Sequence, residues 1–467
     1  GMTFLLCSTM TLSRCYDTNN SVLEKTSSLM YYKIIMPNYI IHGGTPLSGT
    51  AATKTAKNSA IAAMCTSLLA ETPTTLCEVP KIEEVARLSE VLGGMGVKFL
   101  WQGRNLKIIP PKKLQLNKID KEAAQRTRVV LLLLSVLAHK FSSFALPTPG
   151  GCKLGKRTVN PHVYALEKFG LKINQKRGSF KVSGGKKLKG TEIVMFESGD
   201  TTTENAILAA VLAAGKTTIK MASANYQVQD LCFMLNKMGA KISGIGTTTL
   251  RIAGVRKLHG CTYYIIPDPI ESMFWLALAA TTNSRLNIFG CPKEFLELEL
   301  LKLEKMGFQY KITKTYKSKS GNFELIDIKT SPSKLVALDD KLYARPFPGL
   351  NIDNLPFFVP IATQAQGETL IHDWVYENRA QYYLEFQKLG AEIRLADQHR
   401  VFISGPTKLH AAEIVCPDAL RPATILVIGM LAAAGKSILR NTYSIDRGYE
   451  NLYERLKEVG AEIEETT

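Results

Sequence analysis

The chain has 467 residues, of which 45% are hydrophobic and 21% are charged, and these proportions are typical of a soluble globular protein. The chain is longer than a typical domain with a single hydrophobic core, so we expect two domains of roughly 200 residues each. The formal net charge of +17 indicates anionic partners, but the chain has no long basic run and no aromatic-flanked RNA-binding signature. We therefore expect small phosphorylated substrates rather than nucleic acid.

The N-terminal segment, residues 1–35, shows neither helical periodicity nor a signal-peptide pattern. We expect it to be a disordered extension, with folded structure starting near Met36. The longest apolar run, residues 129–138, is too short to cross a bilayer and predicts a buried helix, so we expect no membrane partner.

Cysteine and histidine usage argues against disulfides and metal. The nine cysteines include no C-x-x-C pair, and the seven histidines show no metal-ligand spacing. We therefore expect a protein of the reducing cytoplasm, with no metal and no cofactor.

A short pattern recurs six times: an amphipathic helix ends in an apolar residue and a glycine, then leads into a strand, as in "ALEKFGLKI" and "EFQKLGAEI". A glycine just past the last helical turn predicts a left-handed C-terminal cap. The spacing of 68 to 83 residues predicts six similar α/β units, which divide naturally into two domains of three. The glycines are Gly96, Gly170, Gly239, Gly307, Gly390 and Gly460.

Two stretches resemble the end of a phosphate-binding P-loop, Gly215-Lys216-Thr217 and Gly435-Lys436-Ser437. The P-loop needs a further glycine five residues before the last one, and Ala210 and Met430 stand there instead. We interpret both stretches as helix caps rather than nucleotide sites.

A loop rich in proline and glycine, residues 146–162, carries Cys152 beside Lys153, Lys156 and Arg157. Such a composition indicates a surface loop, and neighbouring cations favour the thiolate form of a cysteine. The sequence predicts a reactive thiol that faces an anionic ligand. The alternative is an ordinary, unreactive loop cysteine.

Six separated motifs occur in the order found in one enzyme family, and together they cover the chain from about residue 41 to residue 464. They are "GGTPLSG" (43–49), "AKN" (56–58), "PGGCKLGKR" (149–157), "MGAKISGIGT" (238–247), "YENR" (376–379) and "SIDRGYE" (444–450). On these motifs the chain resembles the UDP-N-acetylglucosamine enolpyruvyl transferases, also called 1-carboxyvinyltransferases.

The resemblance implies a fold of two inside-out α/β domains, each made of three βαβαββ units. It places residues 57–267 in a domain that carries the cysteine loop. It places residues 36–56 together with 268–467 in a C-terminal domain that carries Asp353. The implied activity is transfer of the enolpyruvyl group of phosphoenolpyruvate to the 3-hydroxyl of UDP-N-acetylglucosamine, with these two molecules as substrates.

The resemblance also implies catalytic roles for four residues. Cys152 would protonate C3 of phosphoenolpyruvate, and Asp353 would be the general base for the sugar hydroxyl. Lys57 would contact phosphoenolpyruvate, and Arg447 would clamp its phosphate or carboxylate, which suits the planar fork of arginine.

The remaining implied roles are in substrate binding, where Asn58 would place the sugar, Arg157 would clamp an anion and Asp418 would support Asp353. An ordinary ion pair at a helix end is the alternative for Arg128 and Arg379. The implied binding residues are Asn58, Arg128, Arg157, Val375, Arg379, Asp418 and Arg421.

The chain departs from the family pattern on the side that would read the nucleotide, at Asn160, at residues 197–201 and at residues 224–227. Asn160 replaces an aspartate, and Glu197 replaces a lysine. Three interpretations follow: the sugar-nucleotide enzyme with altered uridine contacts, an enolpyruvyl transferase for another acceptor such as shikimate 3-phosphate, and a catalytically silent binding protein. We favour the first.

Overall fold

The computed structural model describes residues 37–150, 158–176 and 178–466, and the predicted N-terminal extension lies outside them. Among the described helices, none combines the length and apolar character that a bilayer span requires.

The strands of the described chain are, in order, β1 (Asn38–Gly43), β2 (Ser48–Ala52), β3 (Thr74–Cys77), β4 (Lys98–Gln102), β5 (Asn105–Ile109), β6 (Ser143–Pro147), β7 (Lys172–Lys176), β8 (Ser179–Ser183), β9 (Glu192–Val194), β10 (Lys216–Lys220), β11 (Lys241–Ser243), β12 (Thr249–Ala253), β13 (Thr262–Tyr264), β14 (Arg285–Pro292), β15 (Gln309–Lys317), β16 (Glu324–Ser331), β17 (Leu342–Tyr343), β18 (Gly367–His372), β19 (Glu392–Leu395), β20 (Arg400–Gly405), β21 (Glu413–Val415), β22 (Gly435–Arg440) and β23 (Glu462–Thr466).

The α-helices are α1 (Lys57–Thr66), α2 (Glu83–Gly94), α3 (Lys121–Arg126), α4 (Leu133–Ala138), α5 (Asn160–Glu167), α6 (Asp200–Ala210), α7 (Tyr226–Lys237), α8 (Pro269–Thr281), α9 (Glu297–Lys305), α10 (Phe358–Ala362), α11 (Leu420–Ala432), α12 (Tyr443–Asp446) and α13 (Leu452–Glu458). Short 3₁₀ helices span Ser67–Leu69, Leu116–Lys118, Arg128–Leu132, Lys293–Phe295, Leu355–Phe357 and Ala380–Leu389.

The strands of the described residues form six sheets, one for each predicted unit. Each of the six predicted glycines has a positive φ, between 86° and 102°, and a strand begins two residues after each one. Only glycine adopts this conformation without steric cost, which is why it recurs at the turn from helix to strand. The repeat and its caps are therefore confirmed. The sheet orders are β13-β3-β5-β4, β6-β8-β7, β11-β12-β10-β9, β15-β16-β14-β2, β17-β18-β20-β19 and β21-β22-β1-β23.

The helices lie inside and the sheets cover them. Nearly every residue of α6, α8 and α11 is buried, and the small side chains of α6 and α11 let neighbouring helices pack closely around them. The apolar run at residues 129–138 is buried as predicted, but its first half is a 3₁₀ helix and only its second half is α4.

The positions of the helices and strands show that the two P-loop-like stretches are not P-loops. Gly215 directly precedes β10 and Gly435 is the first residue of β22, so both stretches lead into strands, whereas a P-loop leads into a helix. Our interpretation of them as helix caps is wrong as well, because the C-caps of α6 and α11 are Val211 and Ala433, and both glycines come after these residues.

The buried apolar residues form two clusters. Along the chain, the buried residues pass from one cluster to the other near residues 56 and 266. At that point two chain segments run side by side: the amide of Ala56 donates to the carbonyl of Ile266 at 2.8 Å, and the amide of Asp268 donates to the carbonyl of Lys54 at 2.7 Å. The division into domains at residues 57 and 267 stays a prediction.

A buried carboxyl next to these segments makes the stability of the fold depend on pH. Asp230 accepts from the Tyr263 hydroxyl at 2.6 Å and from the Ile266 amide at 3.3 Å, and burial raises its pKa to about 7. An unfolded aspartate has a pKa near 4, so the folded protein binds the extra proton, and the stability cost of ionising Asp230 grows as pH rises from about 4 to about 7.

We therefore expect Asp230→Asn to gain about 2 kcal/mol of stability relative to the wild type between pH 5 and pH 8. Thermal unfolding midpoints at the two pH values measure this difference. Asp340→Asn, at an exposed position, is the matched control and should show no such change. A pH-independent difference for Asp230→Asn would contradict the assignment.

Candidate active site

A cavity of about 700 Å³ receives side chains from both halves of the described chain, between Lys57 and Gln227 and between Ile270 and Arg447. The first residues of four long helices, α1, α6, α7 and α11, line it. The amino-terminal end of a helix carries a partial positive charge and unpaired amide donors, so their convergence favours an anionic ligand.

Eight of the predicted site residues line this cavity: Lys57, Asn58, Arg128, Asp353, Val375, Arg379, Arg421 and Arg447. Asp418 is exposed and is not among the lining residues, and its support of Asp353 stays a prediction. It lies in the loop before α11, whereas Arg421, three residues later, is within the helix. Cys152 and Arg157 lie outside the described residues, and their roles stay predictions.

Asp353 lies between two buried guanidinium groups. Its Oδ2 is 3.4 Å from Nη2 of Arg421, and its Oδ1 is 3.8 Å from Nη1 of Arg379. Its backbone amide donates to Oδ1 of Asn351 at 2.9 Å, which fixes the turn that presents the carboxylate. The side chain remains 28% exposed, so a substrate in the cavity can reach its carboxylate.

The two arginines are held by different partners. Nη1 of Arg421 donates to the Tyr449 hydroxyl at 3.1 Å. Arg379 forms a two-point ion pair with Asp373, a residue that the sequence analysis did not single out.

Lys57 begins α1, and its Nζ lies 2.8 Å from Oε2 of the partly buried Glu84 in α2. Burial raises the pKa of Glu84, but the charges of Lys57 and Arg447 outweigh it and hold that pKa below its usual value. Glu84 therefore connects two predicted cations from opposite ends of the chain. Its position gives no sign of this in the sequence, because an acidic residue in the first turn of a helix is ordinary.

Arg128 donates from Nη2 to the carbonyl of Thr158 at 3.1 Å. Asn58 donates from Nδ2 to the Tyr226 hydroxyl at 3.3 Å. Both contacts orient polar side chains at the wall of the cavity, although Arg128 opens a buried apolar run.

Two buried carboxyls on the wall were also missed. Asp200 accepts from Ser223 Oγ at 2.5 Å and from Asn225 Nδ2 at 2.9 Å, and Glu204 accepts from Gln227 Nε2 at 3.0 Å. Burial raises the pKa of both carboxyl groups. The unusual residues at 225 and 227 thus have a structural reason, since each provides an amide donor to a buried acid.

The carboxylate of Asp353 can accept a proton. Around it lie positive side chains and helix ends, which can hold a phosphate and a carboxylate of a substrate. This arrangement suits addition of an alcohol to an anionic substrate.

Comparisons with known proteins show the family of the chain. A family model described as EPSP synthase (3-phosphoshikimate 1-carboxyvinyltransferase) matches residues 41–456. UDP-N-acetylglucosamine 1-carboxyvinyltransferase from Treponema denticola is 36% identical over 92% of this chain and 99% of its own length. The protein of the same name from Gloeobacter violaceus is 34% identical over 92% of this chain and 91% of its own length.

Solved structures share the fold. The enolpyruvyl transferase NikO from Streptomyces tendae aligns with a TM-score of 0.80 at 24% identity, covering 92% of this chain and 99% of its own. EPSP synthase from Acinetobacter baumannii aligns with a TM-score of 0.73 at 18% identity, covering 92% and 100%. The predicted enolpyruvyl transferase-like α/β fold is confirmed, and the chain belongs to the EPSP synthase family of enolpyruvyl (1-carboxyvinyl) transferases.

Proposed function

We propose that the protein transfers the enolpyruvyl group of phosphoenolpyruvate to the 3-hydroxyl of UDP-N-acetylglucosamine and releases phosphate, a step in peptidoglycan precursor synthesis. The observation that carries the proposal is the position of Asp353, open to a cavity that Lys57, Arg421 and Arg447 also line. The relatives at 34–36% identity are named for this acceptor, which supports the choice of substrate.

The proposed reaction is an addition followed by an elimination. Asp353 takes the proton of the sugar hydroxyl as its oxygen forms a bond to C2 of phosphoenolpyruvate, and Cys152 delivers a proton to C3. The product of this step is a tetrahedral intermediate that carries a methyl group. Loss of a proton from that methyl group and of phosphate from C2 then restores the double bond.

The proposed binding roles are those that the resemblance implies. Lys57, Arg447 and Arg157 hold the phosphate and carboxylate of phosphoenolpyruvate, while Asn58 and Val375 contact the acceptor. Lys57, Asn58, Val375 and Arg447 are among the residues that line the cavity. Arg421 and Arg379 flank the base.

We propose that the reaction takes place in the cytoplasm. All six described cysteines are free thiols, which fits this compartment.

Phosphate release from phosphoenolpyruvate tests the proposal, with UDP-N-acetylglucosamine and shikimate 3-phosphate as separate acceptors. We expect release that depends on UDP-N-acetylglucosamine. Release with shikimate 3-phosphate alone would favour another acceptor class, and no release with either would favour a silent binding protein.

The departures on the nucleotide side lead to a prediction about acceptor affinity. Glu197 is exposed and lines the cavity, whereas Asn160 is exposed at the start of α5 and is not among the lining residues. A carboxylate at position 197 repels a diphosphate, so we expect Glu197→Lys to lower the Michaelis constant for UDP-N-acetylglucosamine about fivefold, or about 1 kcal/mol.

The Michaelis constant for phosphoenolpyruvate should stay unchanged in Glu197→Lys, and Glu392→Lys, at an exposed position that is not among the lining residues, serves as the matched control with little effect on either substrate. Steady-state kinetics with each substrate varied in turn provide the measurement. An unchanged or higher constant for the sugar nucleotide would show that Glu197 does not face the diphosphate.

A further inference from the structure

Arg379 is held by a buried ion pair on one edge of its guanidinium group. Its Nε lies 2.5 Å from Oδ2 of Asp373 and its Nη2 lies 2.7 Å from Oδ1, and both side chains are 0% exposed. The Tyr383 hydroxyl donates to the same Oδ2 at 2.6 Å. A buried pair is tolerated when its geometry is good and its hydrogen bonds are made, and both conditions hold here.

The other edge of the same guanidinium faces the proposed base. Nη1 of Arg379 is buried and has no hydrogen-bond partner among the described residues, and it lies 3.8 Å from Oδ1 of Asp353. Arginine has five N–H donors in a rigid planar fork, so fixing the Nε and Nη2 edge also fixes the direction of Nη1.

The backbone of Asp373 is fixed as well. The amide of Asp373 donates to the carbonyl of His399 at 2.7 Å, and Nδ1 of His399 lies 3.0 Å from the carbonyl oxygen of Asp373. The guanidinium of Arg379 also lies over the Tyr376 ring, 4.6 Å from its centre. Each of these contacts limits the orientations that Arg379 can adopt.

We propose that Asp373 is a positioning residue for the transfer reaction: together with Tyr383 it fixes Arg379 so that Nη1 is directed at Asp353 and at the acceptor hydroxyl between them. This inference rests on the proposed function, because it takes Asp353 as the base. Asp373 itself is not placed against the substrate, since Arg379 is among the residues that line the cavity and Asp373 is not.

The charge of Asp373 has a second effect. It offsets the positive charge of Arg379, so that Asp353 can accept a proton more readily than it could beside an uncompensated cation. Without that charge, the acidic limb of the pH profile of kcat/KM should move to lower pH. Within the described part of the chain, the other charged or titratable groups that face Asp353 or Arg379 include Arg421, Asp200, Tyr226, Tyr376 and Tyr383.

The test compares Asp373→Asn, Asp373→Glu and Tyr383→Phe with a control at an exposed position, Asp340→Asn. We expect Asp373→Asn to lower kcat roughly 10- to 100-fold, because a small misplacement of a reacting group has an effect of this size. The acidic limb of the kcat/KM pH profile of Asp373→Asn should move to lower pH. Asp373→Glu should restore part of kcat, and the Michaelis constant for phosphoenolpyruvate should hardly change in either variant.

Tyr383→Phe keeps the ion pair and removes one hydrogen bond, so we expect a fold like the wild type and a kcat loss of roughly threefold to tenfold. This variant decides the question if Asp373→Asn does not fold. A wild-type kcat and pH profile in folded Asp373→Asn, or in Tyr383→Phe when the former is unfolded, would overturn the inference. Absence of transfer by the wild-type protein would instead overturn the proposed function.

Discussion

Asp353→Asn is expected to lower kcat by roughly 10²- to 10⁴-fold, the range over which a general base contributes to catalysis. Asparagine keeps the size of the side chain but cannot take the hydroxyl proton. The backbone hydrogen bond of residue 353 to Asn351 is unaffected by the substitution, so the turn and the fold should survive. Single-turnover and steady-state assays of phosphate release measure the loss.

The matched control for this variant is Asp340→Asn, at an exposed position in the same part of the chain. It should retain wild-type turnover. Binding of phosphoenolpyruvate to Asp353→Asn, followed by calorimetry, should remain within a few-fold of the wild type, because the cations that hold it are intact. Turnover of Asp353→Asn within tenfold of the wild type would rule out Asp353 as the base.

Cys152→Ala is expected to abolish most turnover as well, by roughly 10²- to 10⁴-fold, since it removes the proposed proton donor to C3. Cys152→Asp should recover part of this loss, because a carboxylic acid of similar reach can also deliver a proton. Cys261→Ala, at the one described cysteine that is not fully buried, provides the control and should keep normal turnover.

Thiol reactivity gives a second readout for the same residue. Burial raises the pKa of the six described cysteines, to about 11 for Cys261 and about 12 for Cys291 and Cys416, so their thiolate fraction at neutral pH is small. Limited alkylation followed by peptide mass spectrometry should therefore modify Cys152 before any of these six. Earlier modification of Cys232 or Cys416 would contradict the assignment.

The fold was predictable where a local rule determines the residue type. A positive φ at the turn from helix to strand requires glycine, so Gly96 and its five counterparts marked the six units directly in the sequence. The helical form of the run at residues 129–138 was less predictable, because hydrophobicity identifies burial but does not distinguish a 3₁₀ helix from an α-helix.

The candidate site was predictable for residues within distinctive motifs, such as Lys57 and Arg379, which the structure brings to one cavity. Their partners were not, because Glu84 and Asp373 lie in ordinary sequence and acquire meaning only through contacts made in the folded chain. The support of Asp353 by Asp418 stays a prediction from the resemblance, since Asp418 lies in the loop before α11 and is not among the residues that line the cavity.

The central claim is that the chain forms an enolpyruvyl ether at the 3-hydroxyl of UDP-N-acetylglucosamine. Nuclear magnetic resonance and mass spectrometry of the product formed from phosphoenolpyruvate and this acceptor test it most directly. We predict one carboxyvinyl group on the 3-oxygen of the sugar and one phosphate released for each. An unmodified sugar nucleotide after prolonged incubation at millimolar concentrations, with transfer to another acceptor under the same conditions, would contradict the claim.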